Sequence, residues 1–249
     1  MAEKKAPVKR TIVAAESPAS AGKTVKQAAP SKKGNATGLR IGAVAFWLLG
    51  IGCEVFAVLT LNGTFNFMNP AKGTDNTMTA IIIALVVDAV FVIIGSQLWK
   101  KSNDIDPASE KNKVKFFLWN NMGLIASLIA FAPIILLLLS NKELDKKTKT
   151  IATVVAVIML LIAGTASVDY NPTSQEQLAA AEEGVSALGV ENVFWTPFGR
   201  KYHLDENCQS LTRSTTLITG DINQAFEANR NSPCSFCAVE LEEFIEDAA

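Results

Sequence analysis

The chain has 249 residues, a formal net charge of −1 and 49% apolar residues. The near-zero charge says nothing about partners, because a basic head cancels an acidic tail. The apolar residues fall in four long runs, which excludes an ordinary soluble globule, since about 20 apolar residues make a helix that crosses a ~30 Å hydrocarbon core.

Residues 1–37 are rich in Ala, Lys, Pro, Ser and Gly and almost free of large apolar side chains. Such a segment cannot offset the entropy of ordering, so a disordered tail is expected. It has no apolar core of its own, so a cleavable signal peptide is not expected either. Lys4, Lys5, Lys9, Arg10, Lys23, Lys26, Lys32 and Lys33 could touch anionic lipid or nucleic acid. No aromatic residue is interleaved to stack on bases, so nucleic acid is not an expected partner and a solvated tail that enforces topology is the preferred reading.

Four spanning helices are predicted, at residues 39–61, 78–99, 116–140 and 151–168. Trp47 falls within the first, while Trp99 and Trp119 fall near an expected membrane interface. Pro133 is a place for the third to kink. Orientation follows lysine and arginine near the helix ends. The flank before the first span and the 100–115 loop together carry about ten basic residues. The 62–77 loop carries only Lys72, although Lys142, Lys146, Lys147 and Lys149 in the next loop oppose the trend. The balance favours a cytoplasmic N-terminus, and four spans return the C-terminus to the cytoplasm.

Two carboxylates lie inside predicted spans. Glu54 in the first and Asp88 in the second sit at a common depth, roughly 12–15 Å from the outer surface at 1.5 Å per residue. Gly50 lies one turn before Glu54, and Ala80 and Ala84 share the face of Asp88, so close helix approach is possible. A charge at mid-bilayer costs at least ~2.5–3.5 kcal/mol, and no Lys, Arg or His at this depth is available as a partner. Two acids in one site would share a proton or hold a cation; alternatively each is neutral and hydrogen-bonds between helices as packing glue. Asn120 and Asn121, at the depth of Ser96 and Gln97, read as interhelical hydrogen-bonding groups, and Cys53 as a small buried apolar side chain.

Beyond residue 169 the chain turns polar. Pro172-Thr173-Ser174 reads as a helix start, with an Ala/Glu-rich helix over 175–187. Residues 193–237 then hold the only histidine, His203, and three of the four cysteines, Cys208, Cys234 and Cys237. The spacing is H-x4-C followed at a distance by C-x2-C. A tetrahedral Zn²⁺ needs two such short-range pairs, each gripping one edge of the tetrahedron. A redox pair at Cys234 and Cys237, disulfides in an extracytoplasmic tail, and plain buried thiols are the alternatives. Around the ligands, residues 193–203 read as a hairpin, Asp221 as the N-cap of a helix from Ile222, and Pro233 as the residue that holds Cys234 in a turn. Residues 240–247 read as a short acidic helix, with Glu240, Glu242, Glu243, Glu246 and Asp247 as a candidate contact face.

Lys201-Tyr202-His203 through Cys208 to Leu211, followed by Pro233-Cys234-Ser235-Phe236-Cys237, resembles a small zinc-binding module appended to various bacterial proteins. It is loosely similar to the metal-binding domain of the Ada DNA-repair protein. That domain uses four cysteines, one a methyl acceptor; His203 stands here in place of a thiolate, which argues against methyl transfer. The resemblance implies the metal and not a biological role. A closed four-ligand site leaves no position for water, and a ligated His203 cannot serve as a general base, so no enzymatic activity is expected.

The expected architecture is an all-α four-helix transmembrane bundle plus a small C-terminal α+β zinc-binding domain, behind a disordered tail. The divisions are 1–37 (tail), 38–169 (bundle), 170–189 (helical linker) and 190–249 (zinc domain). The expected role is that of a multi-pass cell-membrane protein, both termini cytoplasmic, presenting a structural zinc module for a protein partner or self-association. The alternative is a small proton or cation transporter using Glu54 and Asp88.

Overall fold

Residues 10–15, 35–65, 68–69, 74–142 and 146–239 are described by a computed structural model of the chain. In chain order the elements are β1 (Thr11–Ala14), α1 (Ala36–Leu61), β2 (Met68–Asn69), β3 (Thr74–Asp75), α2 (Thr77–Ile105), α3 (Lys113–Asn120), α4 (Met122–Ser140) and α5 (Lys146–Ser167). They continue with α6 (Gln175–Ala187), β4 (Val193–Trp195), a 3-10 turn (Gln209–Leu211), β5 (Thr216–Gly220) and α7 (Ile222–Glu227). Two structural units result. Ala36–Asn103 and Lys111–Tyr170 make a helical unit; Asp104–Glu110, with the described parts of Met1–Asn35 and Asn171–Ala249, makes the other.

Four helices of the first unit, α1, α2, α4 and α5, are long and apolar enough to cross a membrane. Even the 19-residue α4 reaches ~29 Å at 1.5 Å per residue, close to the thickness of the hydrocarbon core. Their outward faces are apolar: Ile41, Leu48, Ile83, Leu136 and Leu161 are all exposed. In a water-soluble protein such faces would be polar. The buried faces are built from small residues. Ala152, Ala156, Ala163 and Gly164 line the covered side of α5, which packs along α4. Small side chains let backbones approach where lipid supplies no hydrophobic drive for helix association.

Polar contacts are concentrated toward one end of this unit. Ser167 Oγ donates to Ser96 Oγ at 2.8 Å, and Asn103 Nδ2 donates to Asn120 Oδ1 at 3.1 Å. Trp47, Trp99 and Trp119 form a run of ring contacts at 5.4 and 5.2 Å, and the Arg40 guanidinium caps it 5.4 Å from the Trp119 ring. The third predicted span is interrupted at Asn121 and continues through Pro133 as part of α4. Asn120 and Asn121 each turn their side-chain amide back onto a carbonyl four residues earlier, Phe116 and Phe117. Back-bonding of this kind bends helices, and the break falls at these residues, where the Phe117 carbonyl accepts both the Asn121 amide and its backbone N–H.

In the second unit a three-stranded sheet has the order β1-β5-β4, with β1 parallel and β4 antiparallel to the central β5. Thr11–Ala14 therefore corrects the expectation of a disordered tail over 1–37: these residues form an edge strand in register with Thr216–Thr219. The β-branched run Thr-Ile-Val suits an edge strand, and Ile12 and Ala15 pack against the core. Arg10 ties the strand down by donating to the Glu206 carbonyl at 2.7 Å.

Helix α6 has the bounds expected of the Ala/Glu-rich helix, and Ser174 and Gln177 close a capping box at its start. It is nevertheless part of the core. Leu178 and Val185 pack into one cluster with Val193, Trp195, Tyr202, Leu217 and Phe226. Its N-terminus is held by the 104–110 stretch, where Glu176 accepts from the Ser109 hydroxyl and the Glu110 backbone N–H. Asn231 anchors the preceding residues by donating to Thr173 Oγ1 at 3.2 Å. The acidic face at 240–247, Lys72 and most of the basic tail lie outside the described residues.

Candidate metal centre

Two local structures present the ligand-type residues, and one backbone bridge brings them together. His203 lies on the return of a hairpin: Phe194 N–H donates to the His203 carbonyl at 2.8 Å, and His203 N–H to the Phe194 carbonyl at 2.7 Å. Arg230 clamps the hairpin turn by donating to the Pro197 carbonyl at 2.7 Å. Cys208 follows a tight turn, its N–H donating to the Asp205 carbonyl, and it opens the 3-10 turn. Cys234 sits just before a helical turn that starts at Ser235 and carries Cys237. The bridge joins Tyr202 to Pro233, the residues that precede His203 and Cys234. It is made by Tyr202 N–H to the Ser232 carbonyl (3.1 Å) and Cys234 N–H to the Tyr202 carbonyl (2.9 Å).

The four candidate donor atoms lie within 4.8 Å of one another and all four residues are buried. His203 Nδ1 is 3.4 Å from Cys208 Sγ. The three sulfurs are 3.5 Å (Cys208 to Cys234), 3.4 Å (Cys234 to Cys237) and 3.7 Å (Cys208 to Cys237) apart. Metal bonds of ~2.3 Å to sulfur and ~2.0–2.1 Å to nitrogen at the tetrahedral angle place sulfurs ~3.8 Å apart and nitrogen ~3.6 Å from sulfur. These four edges match that cage to within a few tenths of an ångström, and no two donors are more than 4.8 Å apart. All three cysteines are free thiols rather than disulfides.

The surroundings fit metal-bound sulfur. Cys237 N–H points at Cys234 Sγ and Leu204 N–H at Cys237 Sγ, both at 3.4 Å, and such amide donors disperse thiolate charge. Burial lowers the pKa of His203, which keeps the imidazole neutral and its lone pair available to a cation. Burial pushes the Cys237 thiol up to about 12. At Cys234 burial, the largest single cause, acts in the same direction, but hydrogen bonds from Cys237, Cys208 and the Phe236 backbone together outweigh it and the thiol is shifted down. A bound dication would deprotonate its thiol ligands outright.

His203, Cys208, Cys234 and Cys237 are thus brought together as a group that could hold a metal ion. Glu54 and Asp88 lie elsewhere, inside the helical unit, and Cys53 beside Glu54 is half-buried. Sequence reasoning missed the supporting groups: the Tyr202–Pro233 bridge, the Leu204 amide and the strands β1 and β5. The β-branched runs at Thr11 and Thr216 were a local signal for the strands; nothing local announces a bridge across thirty intervening positions. No family model, no curated protein and no solved structure matches this chain, so the likeness to the Ada metal-binding domain rests on the residue pattern and the four-donor cluster.

Proposed function

We propose that the chain is a multi-pass membrane protein that displays a structural Zn²⁺ module in the cytoplasm for interaction with a protein partner or for self-association. The observation that carries this reading is the buried His203/Cys208/Cys234/Cys237 cage. Cys₃His is a common structural zinc set, and four protein donors leave no position at which substrate or water could be activated. The fold gives the metal a task. A small unit with a modest core gains from a metal whose binding is worth an apparent ~10–16 kcal/mol in zinc-finger peptides.

The sheet supports placing both chain ends on one side of the membrane. Strand β1 precedes the first apolar helix and β5 follows the last, yet they pair residue for residue. An even number of crossings between them satisfies that pairing. The lysine distribution favours the cytoplasmic side, where a reducing environment also keeps cysteines available as ligands.

Metal analysis of the full-length protein, purified in detergent without chelator, tests the reading. The expected result is about one zinc per chain, lost when Cys234 and Cys237 are both changed to serine. Absence of stoichiometric zinc, or a mapped Cys234–Cys237 disulfide, refutes it. For topology, a cysteine replacing Thr64 should react with an impermeant maleimide in intact cells, while one replacing the fully exposed Phe198 should react only after permeabilisation.

A further inference from the structure

We propose that Glu54 and Asp88 form a proton-binding dyad inside the helical unit, one proton shared between the two carboxylates. This goes beyond the zinc reading and is independent of it.

The two acids meet. Asp88 is fully buried, at 0% exposure, and Glu54 nearly so, at 8%. A Cβ placed on Gly50 would come within 2.5 Å of Asp88 Oδ1, so Asp88 lies against α1 one turn from Glu54, in a recess that only glycine leaves open. Neither Asp88 oxygen has a hydrogen-bond partner among the described residues, nor does Glu54 Oε1. On α4, the backbone N–H of Ile134 lies near Glu54.

Among the described residues, no countercharge faces them. On α1 the other ionisable groups are Cys53 and Arg40, and Arg40 sits over Trp119, ~21 Å along the helix from Glu54. On α2 the nearest cations are Lys100 and Lys101, ~18 Å along the helix from Asp88. Helix α4 has no ionisable side chain, and those of α5 are Lys146, Lys147 and Lys149 at its very start.

Two ionised carboxylates in such a place would be an uncompensated double charge with three orphaned acceptors, which desolvation and like-charge repulsion both oppose. A single proton removes one charge and creates an O–H donor for oxygens that otherwise have none. A metal cation suits the site less well, because Mg²⁺ or Ca²⁺ takes about six or more oxygen ligands and the dyad supplies at most four. The chemistry is reversible proton binding: an O–H bond forms on one carboxylate and its proton is hydrogen-bonded by the other.

Infrared spectroscopy of the full-length protein in phosphatidylcholine nanodiscs, titrated from about pH 5 to about pH 10, tests this directly. The expected result is the C=O stretch of a protonated carboxylic acid that persists at neutral pH, where water-exposed carboxylates are ionised. It should be absent from an E54Q/D88N double variant. ¹³C labelling of the side-chain carboxyl carbon of aspartate or glutamate in the unaltered protein should shift the same band, which gives the answer even if the variant does not fold. Absence of the band at neutral pH overturns the proposal. So does a band whose midpoint moves by about one pH unit, a tenfold change in proton affinity, when Na⁺ or K⁺ replaces choline at constant ionic strength, because the occupant is then a metal cation.

Discussion

Replacing Val13 by proline should detach the N-terminal strand without disturbing the metal cluster. In the parallel register, Thr11 N–H donates to the Thr215 carbonyl at 2.9 Å and Ala15 N–H to the Thr219 carbonyl at 2.7 Å. By the same alternation Val13 N–H faces the Leu217 carbonyl. Proline deletes that donor from the middle of the strand and leaves an acceptor without a partner beside the fully buried Leu217. An orphaned buried acceptor costs about 1–3 kcal/mol, or roughly a 5- to 150-fold rise in the open-to-docked ratio. Hydrogen exchange read by mass spectrometry on the peptide covering Thr216–Gly220 is the assay. The Leu217 and Thr219 amides, which face β1, should exchange faster by that factor, while amides bonded to β4 change little. Val13→Ala keeps the N–H and removes only a side chain that is 42% exposed, so it should exchange like the parent. If V13P also exchanges like the parent, the β1–β5 pairing is wrong, and the argument that both chain ends share a side of the membrane loses its structural support.

Two further outcomes follow from packing and burial. Gly123→Ala should destabilise the helical unit by about 1–3 kcal/mol, measured as a lower midpoint of detergent denaturation, because the new Cβ would meet Ser96 Oγ and lie 2.6 Å from Ser96 Cβ. Adding S96A should not rescue it, since that change leaves the Cβ in place; full rescue would show that the packing here is looser than described. Burial, with the nearby Cys237 as a second cause, raises the Tyr202 phenol from 10.0 to about 12. A folded-state value above the unfolded one contributes stability below pH 10 that is lost as pH rises from 10 toward 12. In Y170F, which leaves Tyr202 as the sole tyrosine, tyrosinate absorbance should therefore appear only well above pH 10, and a midpoint at the ordinary value would mean that the ring is not buried.

What could be read from the sequence alone was what depends on neighbours along the chain. Helical hydrogen bonds run four residues back, so an apolar run declares a spanning helix, and Ser174 and Asp221 mark helix starts through caps they make three residues ahead. The C-x2-C and H-x4-C pairs are legible for the same reason, since each pair is one local turn. Tertiary structure decided the rest. The partner of β1 lies about two hundred positions away, and four residues in a polar, lysine-rich tail carry no mark of the strand they will pair with. Helix α6 reads as a linker because its Ala/Glu composition is mild, and only the packing of Leu178 and Val185 makes it core. The third span breaks at Asn121, where side-chain amides compete for backbone carbonyls, while Pro133 is accommodated within α4. A buried acid in a spanning run was visible in the letters, but the recess at Gly50 that seats Asp88 beside Glu54 required two helices in contact, because the space one helix leaves open has meaning only when another fills it.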